Sequence, residues 1–305
     1  MRRGHLAGLT ACLWLAMSLS CLTAAEAPAP AAGEGKVAEG GATQVPAAAV
    51  VLRYAPKVGV AVKHKLTMAG RMEAASQAMD QPMRVQVRGS MSYTEKALSE
   101  TADRVRVQQR LTGGEFVMNM GGQSQTQPMP IGKMVTEMDR RGRLVRVIEA
   151  DLGDKAAAAD LLSGTGTWSE LASFAALPEG QVKVGDTWSD QLKLPATAGS
   201  PEISLDVASR LVSLTTVEGR KCAQVRSTFS GPLTIPIPGG QSGAGSMQAT
   251  LQGEMVWYYD YENSVYVKGE GTMGMDMKMS VSGPETPGMD VSTKMIMNIK
   301  LALVK

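Results

Sequence analysis

The stretch from Gly271 to Val281 reads GTMGMDMKMSV and carries a methionine at every second position. Successive side chains of a β-strand point to opposite faces, so Met273, Met275, Met277 and Met279 are predicted to share one face. The glycine, aspartate, lysine and serine between them point to the other face. An apolar face backed by a wet face is typical of a strand in an antiparallel sheet.

The same period of two recurs along most of the chain from Val50 onward. Turn-forming pairs such as Glu218-Gly219 separate the runs, as hairpins require. Further alternating runs occupy residues 58–72, 83–93, 105–111 and 289–303. The sequence therefore predicts a mainly β fold, a strongly curved antiparallel sheet of long strands with the layout of a half-barrel.

The β-rich part is predicted to be a single domain, residues 50–305, built from two similar halves. The sequence GKMVTEMDRRGRLV, which starts at Gly132, aligns with GEMVWYYDYENSVY, which starts at Gly253. In both segments an aspartate leads into a turn. These similarities place the halves at residues 50–150 and 183–305.

The segment between the halves, residues 151–182, has a helical pattern. It is rich in alanine, and Thr167-Trp-Ser-Glu170 has the spacing of a capping box. Pro178 ends the pattern, because proline cannot continue a helix. One or two short helices are therefore predicted to pack against the concave face of the sheet.

Residues 1–25 are predicted to be an export signal. Arg2 and Arg3 precede an apolar run, and Thr23-Ala-Ala25 supplies the small residues of a cleavage site. The protein is therefore predicted to be exported to the periplasm or cell envelope, and a lipid anchor on Cys21 is left open. Residues 26–49 are rich in alanine, proline and glycine, which predicts a disordered linker.

Few residues of the mature chain suit catalysis. His64 is its single histidine, and its place on the apolar face of a strand predicts a satisfied, partly buried side chain. Cys222 is predicted to be a small core residue. Asp139 and Asp260 stand where strands lead into turns, which turn chemistry explains. The sequence therefore predicts a protein that is not an enzyme and has no cofactor. A formal net charge of +2 gives no reason to expect a nucleic-acid partner.

The methionine strand has a predicted partner strand, residues 289–303. If the two form a hairpin that pairs Val281 with Met289, then Met275 faces Met295 and Met273 faces Met297. Thioethers are soft ligands that can select Cu(I). These four methionines are therefore an alternative copper site, while ordinary apolar packing is the plainer interpretation.

A curved sheet with little helix to cover it would expose a large apolar face, which predicts that the face is occupied. Methionine suits a surface that must fit several apolar partners. The favoured hypothesis is therefore that this face binds a lipid or lipoprotein ligand, or an envelope protein partner. A purely structural envelope module is the remaining alternative. The candidate ligand-binding residues are Met273, Met275, Met277, Met279, Met295, Met297, Met68 and Met91.

The segment LPEGQVKVGDTW, from Leu177 to Trp188, resembles a recurring LPxGxVxVGDxW segment of uncharacterised exported bacterial β-rich proteins. In those proteins a similar opening, here Leu52-Arg-Tyr54 to Gly59, precedes a meander of long strands. Their layout is similar to the lipoprotein-carrier half-barrel, in which helices plug the concave face. The resemblance implies a half-barrel and, by analogy of fold alone, binding of acyl chains. It implies no catalytic activity.

Overall fold

Fourteen strands account for most of the residues that the computed structural model describes, which are 49–76, 81–129, 131–151, 176–194, 203–240, 243–283 and 286–304. The strands are β1 (Val50–Val51), β2 (Ala61–Ser76), β3 (Met83–Glu100), β4 (Arg104–Met120), β5 (Gln123–Pro128), β6 (Gly132–Asp139), β7 (Leu144–Asp151), β8 (Gln181–Val182), β9 (Thr187–Leu194), β10 (Ile203–Val217), β11 (Arg220–Gly240), β12 (Gly243–Asp260), β13 (Val265–Gly283) and β14 (Thr286–Val304).

The predicted helices fall in a segment, residues 151–182, that lies largely outside the described ranges. Its described residues, 151 and 176–182, contain no helix. Helices against the concave face therefore find no support in the described part of the chain. Residues 1–48, with the predicted signal and almost all of the predicted linker, also lie outside the described residues.

Eleven strands pair in one antiparallel path, in the order β7-β6-β4-β3-β2-β14-β13-β12-β11-β10-β9, and β5 adds to β4 beside this path. β1 and β8 form a separate two-stranded pair. The mainly β, antiparallel fold that the period of two predicts is thereby confirmed. Within the described residues β7 and β9 do not pair with each other, so the large sheet is not closed.

The open sheet is nevertheless curled, because its outermost strands meet at one end. The turn between β6 and β7 carries Arg141, whose Nη2 lies 3.0 Å from Oδ2 of Asp190 on β9. In a flat sheet these strands would stand about 48 Å apart, at about 4.8 Å per strand. Asp190 is paired with Val207, which is buried, so the sheet curls toward its buried face. We call this the closed end; the turns at 101–103, 140–143, 218–219 and 261–264 lie there.

The buried face is mainly apolar from β3 across β14 to β10, because the register aligns the apolar phases of neighbouring strands. One row across the strands runs Val87, Gly70, Met297, Met273, Gly253, Phe229, Val207 and Asp190. The next row away from the closed end runs Val85, Met72, Met295, Met275, Leu251 and Gly231. Burying one large apolar side chain contributes about 1.5–3 kcal/mol, so these rows are the main stabilising contribution.

Glycines on the buried face let neighbouring backbones approach more closely than a side chain would allow. A methyl group added at Gly70 would lie 2.2 Å from the carbonyl oxygen of Ile296. One added at Gly271 would lie 2.1 Å from the carbonyl oxygen of Glu254. Glycine inside a strand is typical of a bend or a close backbone approach. The curl of the sheet therefore depends on the absence of a side chain at these positions.

The two predicted halves use the same turn chemistry. Asp139 Oδ1 accepts hydrogen bonds from the backbone N–H groups of Arg141 and Arg143. Asp260 Oδ1 accepts hydrogen bonds from those of Glu262 and Asn263. Both carboxylates therefore cap turns at equivalent points of the sheet. In the strand order, β2, β3, β4, β6 and β7 are successive neighbours, as are β9 to β13, and β14 lies between β2 and β13.

The first long strand begins later than the sequence pattern predicts. The period of two places Val58 and Val60 on the buried face, but they are 50% and 51% exposed. Gly59 between them has φ +82°, a left-handed conformation that glycine adopts without strain. A turn therefore replaces the strand here, and β2 starts at Ala61.

Candidate functional site

The hairpin register that the methionine hypotheses require is present. Val281 pairs with Met289, so Met275 stands opposite Met295, and Met273 stands opposite Met297. On the other side of β14, Met72 pairs with Met295. The predicted register is therefore confirmed, and thioethers from three adjacent strands come together in the middle of the sheet.

Seven of the eight candidate methionines are buried on this face, beside Met72 and Met255, and we call these seven the methionine wall. Each of them is only 1% to 3% exposed. They are Met68, Met91, Met273, Met275, Met277, Met295 and Met297. Met68 and Met91 lie nearer the closed end, where they pair with Ile299 and Leu66. For Met279 the structure describes the backbone register alone, opposite Met247 and Val291.

The methionine wall is packed. Exposure this low means that water-sized spaces do not adjoin these side chains, and protein interiors are generally packed at crystal-like density. A ligand could reach the wall only by displacing the groups that now contact it. Methionine has three rotatable side-chain bonds and a polarizable sulfur, so a wall made of it can repack around a new neighbour.

The edges of the sheet are joined at the closed end by an ionic group that we call the edge latch, made of Asp139, Arg141, Arg143 and Asp190. Both arginines approach Asp190, at 3.0 Å for Arg141 and 3.5 Å for Arg143. Arg143 Nε also donates a hydrogen bond to Asp139 Oδ2 at 2.7 Å. Burial opposes the charge on Arg143, yet its pKa is raised by the hydrogen bond and charge of Asp139 and by the charge of Asp190.

Residues 52–57 cross the closed end and connect both halves of the sheet. The backbone N–H of Tyr54 donates to the carbonyl oxygen of Arg140 at 2.8 Å. The carbonyl oxygen of Arg53 accepts hydrogen bonds from Tyr259 Oη at 2.7 Å and Ser264 Oγ at 2.9 Å. Leu52 and Tyr54 are buried. This segment is therefore part of the core of the closed end.

Ring side chains fill the space beneath this segment, and we call them the tyrosine cluster: Tyr54, His64, Tyr93, Tyr259 and Tyr266. All five are buried. His64 stacks on Tyr93 with 5.1 Å between ring centroids, and Tyr259 contacts Tyr266 at 5.0 Å. Burial and the nearby charge of Glu95 raise the pKa of Tyr93 and Tyr266, so both phenols stay neutral. Burial lowers the pKa of His64, although the Glu95 charge opposes that effect.

Glu95 is the carboxylate that this cluster surrounds. Its Oε1 accepts a hydrogen bond from Tyr54 Oη at 2.8 Å, and its Oε2 accepts one from Gln109 Nε2 at 3.2 Å. A cavity of about 20 Å³ adjoins these side chains and His64. The Nδ1 atom of His64 is buried and has no hydrogen-bond partner. The prediction of a satisfied histidine is therefore wrong for this nitrogen.

Sequence reasoning missed Glu95 and Gln109, although the alternation contains the signal. In β3 the buried Met91 and Tyr93 are followed, in the same phase, by Glu95. In β4 the buried Val105 and Val107 are followed in phase by Gln109. A polar side chain in phase with an apolar face is expected to find a partner there. The register places Glu95 and Gln109 directly opposite each other.

Other features of the described residues contribute little chemistry. A groove of about 930 Å³ lies mainly on the wet face of β9 to β13 and is lined largely by small and hydrogen-bonding side chains such as Gln191, Thr228 and Gln252.

Cys222 is fully buried, and burial with the charge of Asp260 raises the pKa of its thiol, which disfavours the reactive thiolate. Among the described ranges no three histidine, cysteine, aspartate or glutamate side chains form a group suited to a metal ion. The part of the chain that the structure describes contains no helix long and apolar enough to cross a membrane.

Comparison with known proteins does not place the chain in a family. No family model matches the sequence, and no curated protein matches it. Among solved structures, OccK5 (OpdH) of Pseudomonas aeruginosa is 9% identical, with a TM-score of 0.27, over 82% of this chain and 100% of that one. OpdQ of Pseudomonas aeruginosa is 8% identical, with a TM-score of 0.23, over 81% of this chain and 100% of that one. A DUF1329 family protein from Desulfovibrio piger is 12% identical, with a TM-score of 0.13, over 76% and 83%. TM-scores this low carry no argument about fold or function.

Proposed function

We propose that this chain is a non-enzymatic, exported protein of the bacterial envelope that holds an apolar, lipid-like ligand against the methionine wall. The observation that carries the proposal is the mainly apolar buried face of a curled sheet that does not close within the described residues. The proposal includes kinship with exported bacterial β-rich proteins, which rests on the segment from Leu177 to Trp188, and a lipoprotein-carrier layout, which rests on the pattern of long strands.

The unpaired edges suggest how a ligand would reach the wall. The latch joins the β6–β7 turn to β9 at the closed end, and the described residues show no pairing between β7 and β9 beyond it. A ligand that enters between them would replace packing contacts of the wall with contacts of its own. Such an exchange costs little if both surfaces are apolar and the wall can change rotamers, as methionine can.

The test uses Trp257, which is buried on the same face of the sheet. A mature protein with Trp168→Phe and Trp188→Phe keeps Trp257 as its single tryptophan. A brominated fatty acid quenches tryptophan fluorescence on contact, so saturable quenching of Trp257 is the expected result. The control is Ala208→Trp in the same protein with Trp257→Phe, because Ala208 is exposed on the wet face.

Native mass spectrometry of the protein purified gently from a bacterial envelope is the complementary measurement. A co-purifying mass that matches a lipid supports the carrier function. If no lipid co-purifies and Trp257 is quenched no more than the control tryptophan, the carrier proposal is wrong. The search would then turn to an envelope protein partner or a purely structural role.

Copper binding is a second candidate because the observed register brings Met273, Met275, Met295 and Met297 into one patch. Thioether ligands favour Cu(I) over harder ions. Titration with Cu(I) against a competing chelator would detect a site. Binding of one copper ion that is lost in Met275→Leu with Met295→Leu, but kept in Met68→Leu with Met91→Leu, would favour copper. Leucine conserves volume, so both double variants are expected to stay folded.

A further inference from the structure

The cavity beside Glu95 is small, and its lining combines apolar side chains with a few polar ones. Its volume of about 20 Å³ is enough for one water-sized guest, which needs at least about 10–15 Å³. Its lining includes Tyr54, His64, Tyr93, Glu95, Gln109 and Tyr266. The rings are buried, and His64 is only 4% exposed. A guest in this cavity would therefore be partly removed from solvent, since the lining also includes the exposed Val60.

The formal charge that faces the cavity is negative, with no positive side chain in the lining. Glu95 brings a carboxylate, and its two hydrogen-bond donors, Tyr54 and Gln109, are neutral. The lining contains no lysine or arginine. Glu95 is half-buried, and a carboxylate that is partly removed from water is stabilised by an opposite charge nearby. Hydrogen bonds from neutral donors stabilise the carboxylate but do not balance the charge.

The remaining lining groups also favour a positive guest. The faces of tyrosine rings attract cations electrostatically, and Tyr54, Tyr93 and Tyr266 all line the cavity. The Nδ1 atom of His64, which lacks a partner, can accept a hydrogen bond from a guest when the imidazole is neutral. Oxygen atoms of Glu95 and Ser264 add further ligands at the same cavity. This set suits a small cation that forms hydrogen bonds or prefers oxygen ligands.

We propose that this cavity binds one water-sized monovalent cation, of the ammonium or potassium class, with Glu95 as its counter-charge. The site is separate from the methionine wall and does not depend on the function proposed for that wall. The bound ion would stabilise the closed end, because Glu95 is also bonded to Tyr54 and so holds residues 52–57 in place. Residues 52–57 in turn connect the two halves of the sheet.

The test is thermal unfolding of the mature protein in chloride salts at constant ionic strength. Ammonium or potassium chloride is exchanged stepwise for tetramethylammonium chloride, whose cation is too large for the cavity. We expect the melting temperature to rise in a saturable way as the small cation increases, by about 3 °C at tenfold excess over its Kd. Glu95→Gln should abolish this rise, and Glu73→Gln, at an exposed glutamate that pairs with Arg84, should keep it.

Each outcome decides the proposal. A rise that is absent with tetramethylammonium and absent in Glu95→Gln supports a cation site at Glu95. An equal melting temperature in all salts means that the cavity takes water and the proposal is wrong. An equal rise in Glu95→Gln and in the wild-type protein would place the ion elsewhere and also overturn it. If Glu95→Gln does not fold, His64→Leu, which removes the unpartnered Nδ1 acceptor of the lining, should weaken the salt response.

Discussion

Asp190→Asn is the most informative perturbation of the edge latch. The amide keeps the shape of the side chain but removes the charge that attracts Arg141 and Arg143. The side chains of Arg141 and Asp190 are each 13% exposed. Removal of one partner of a buried ion pair costs about 3–5 kcal/mol, whereas an exposed pair contributes about 0–1 kcal/mol. Arg141 keeps a hydrogen bond to the carbonyl oxygen of Leu177 at 2.6 Å, which lessens the loss.

These figures place the expected loss of unfolding free energy for Asp190→Asn at about 2 kcal/mol. For a domain of this size, that corresponds to a melting temperature lower by about 4–8 °C. Urea unfolding followed by tryptophan fluorescence would measure the free energy directly. The matched control is Arg84→Gln, which breaks a pair with Glu73 whose side chains are 79% and 48% exposed, and it should cost less than about 0.5 kcal/mol.

A double-mutant cycle separates the latch from local effects of the substitution. Arg141→Gln and Asp190→Asn together should cost less than the sum of the single variants, with a coupling energy of at least about 1 kcal/mol. A loss in Asp190→Asn no larger than in Arg84→Gln, or a coupling energy near zero, would refute the claim that this contact holds the sheet edges together.

Gly70→Ala is expected to destabilise the protein by more than about 3 kcal/mol, because its methyl group would lie 2.2 Å from the carbonyl oxygen of Ile296. The control is Gly180→Ala, which should be near neutral in the same urea assay because no atom lies within 4 Å of the added methyl group. Equal losses in the two variants would contradict the claim that the curl depends on the absence of a side chain at Gly70. Burial lowers the pKa of His64 below its unfolded value of about 6.5. The free energy of unfolding should therefore fall as the pH drops from about 6.5 to the folded pKa, by at most about 1.4 kcal/mol per pH unit. His64→Leu should remove that contribution, and an unchanged pH profile would show that His64 does not cause it. Tyr54→Phe removes the hydrogen-bond donor to Glu95 and should lower the free energy of unfolding by about 1.5–3 kcal/mol. Tyr258→Phe on the wet face should lower it little. Similar losses in the two variants would mean that the hydrogen bond to Glu95 does not stabilise the protein.

The sequence alone predicts the β-class and the faces of the strands because alternation is a local property. Met273, Met275, Met295 and Met297 follow a strict period of two, and a hairpin that joins them has few registers that keep both apolar faces on one side. The register of this hairpin could therefore be predicted from the residues. Turn residues such as Asp139 and Asp260 were predictable for the same reason, since they act on backbone groups within four residues.

The curl and the closed end could not be predicted in the same way, because they depend on contacts between distant segments. The meeting of Arg141 with Asp190 requires the full path of strands to bend, and no local pattern encodes that bend. Val58 and Val60 show a related limit, since a left-handed glycine turn interrupts an apolar alternation. Glu95 follows the buried phase, but its cavity exists only because residues 52–57 cross above it.

The pairing of β2 with β14 has a consequence for the order in which the chain folds. Ser292 on β14 donates a hydrogen bond to the carbonyl oxygen of Ala75 on β2, 217 residues earlier in the chain. Contacts between such distant residues slow folding, because a long loop must close before they form. The central seam of the sheet can therefore form only when the final strand is available. A chain that emerges N-terminus first, from a ribosome or a translocation pore, holds two unjoined half-sheets until β14 arrives.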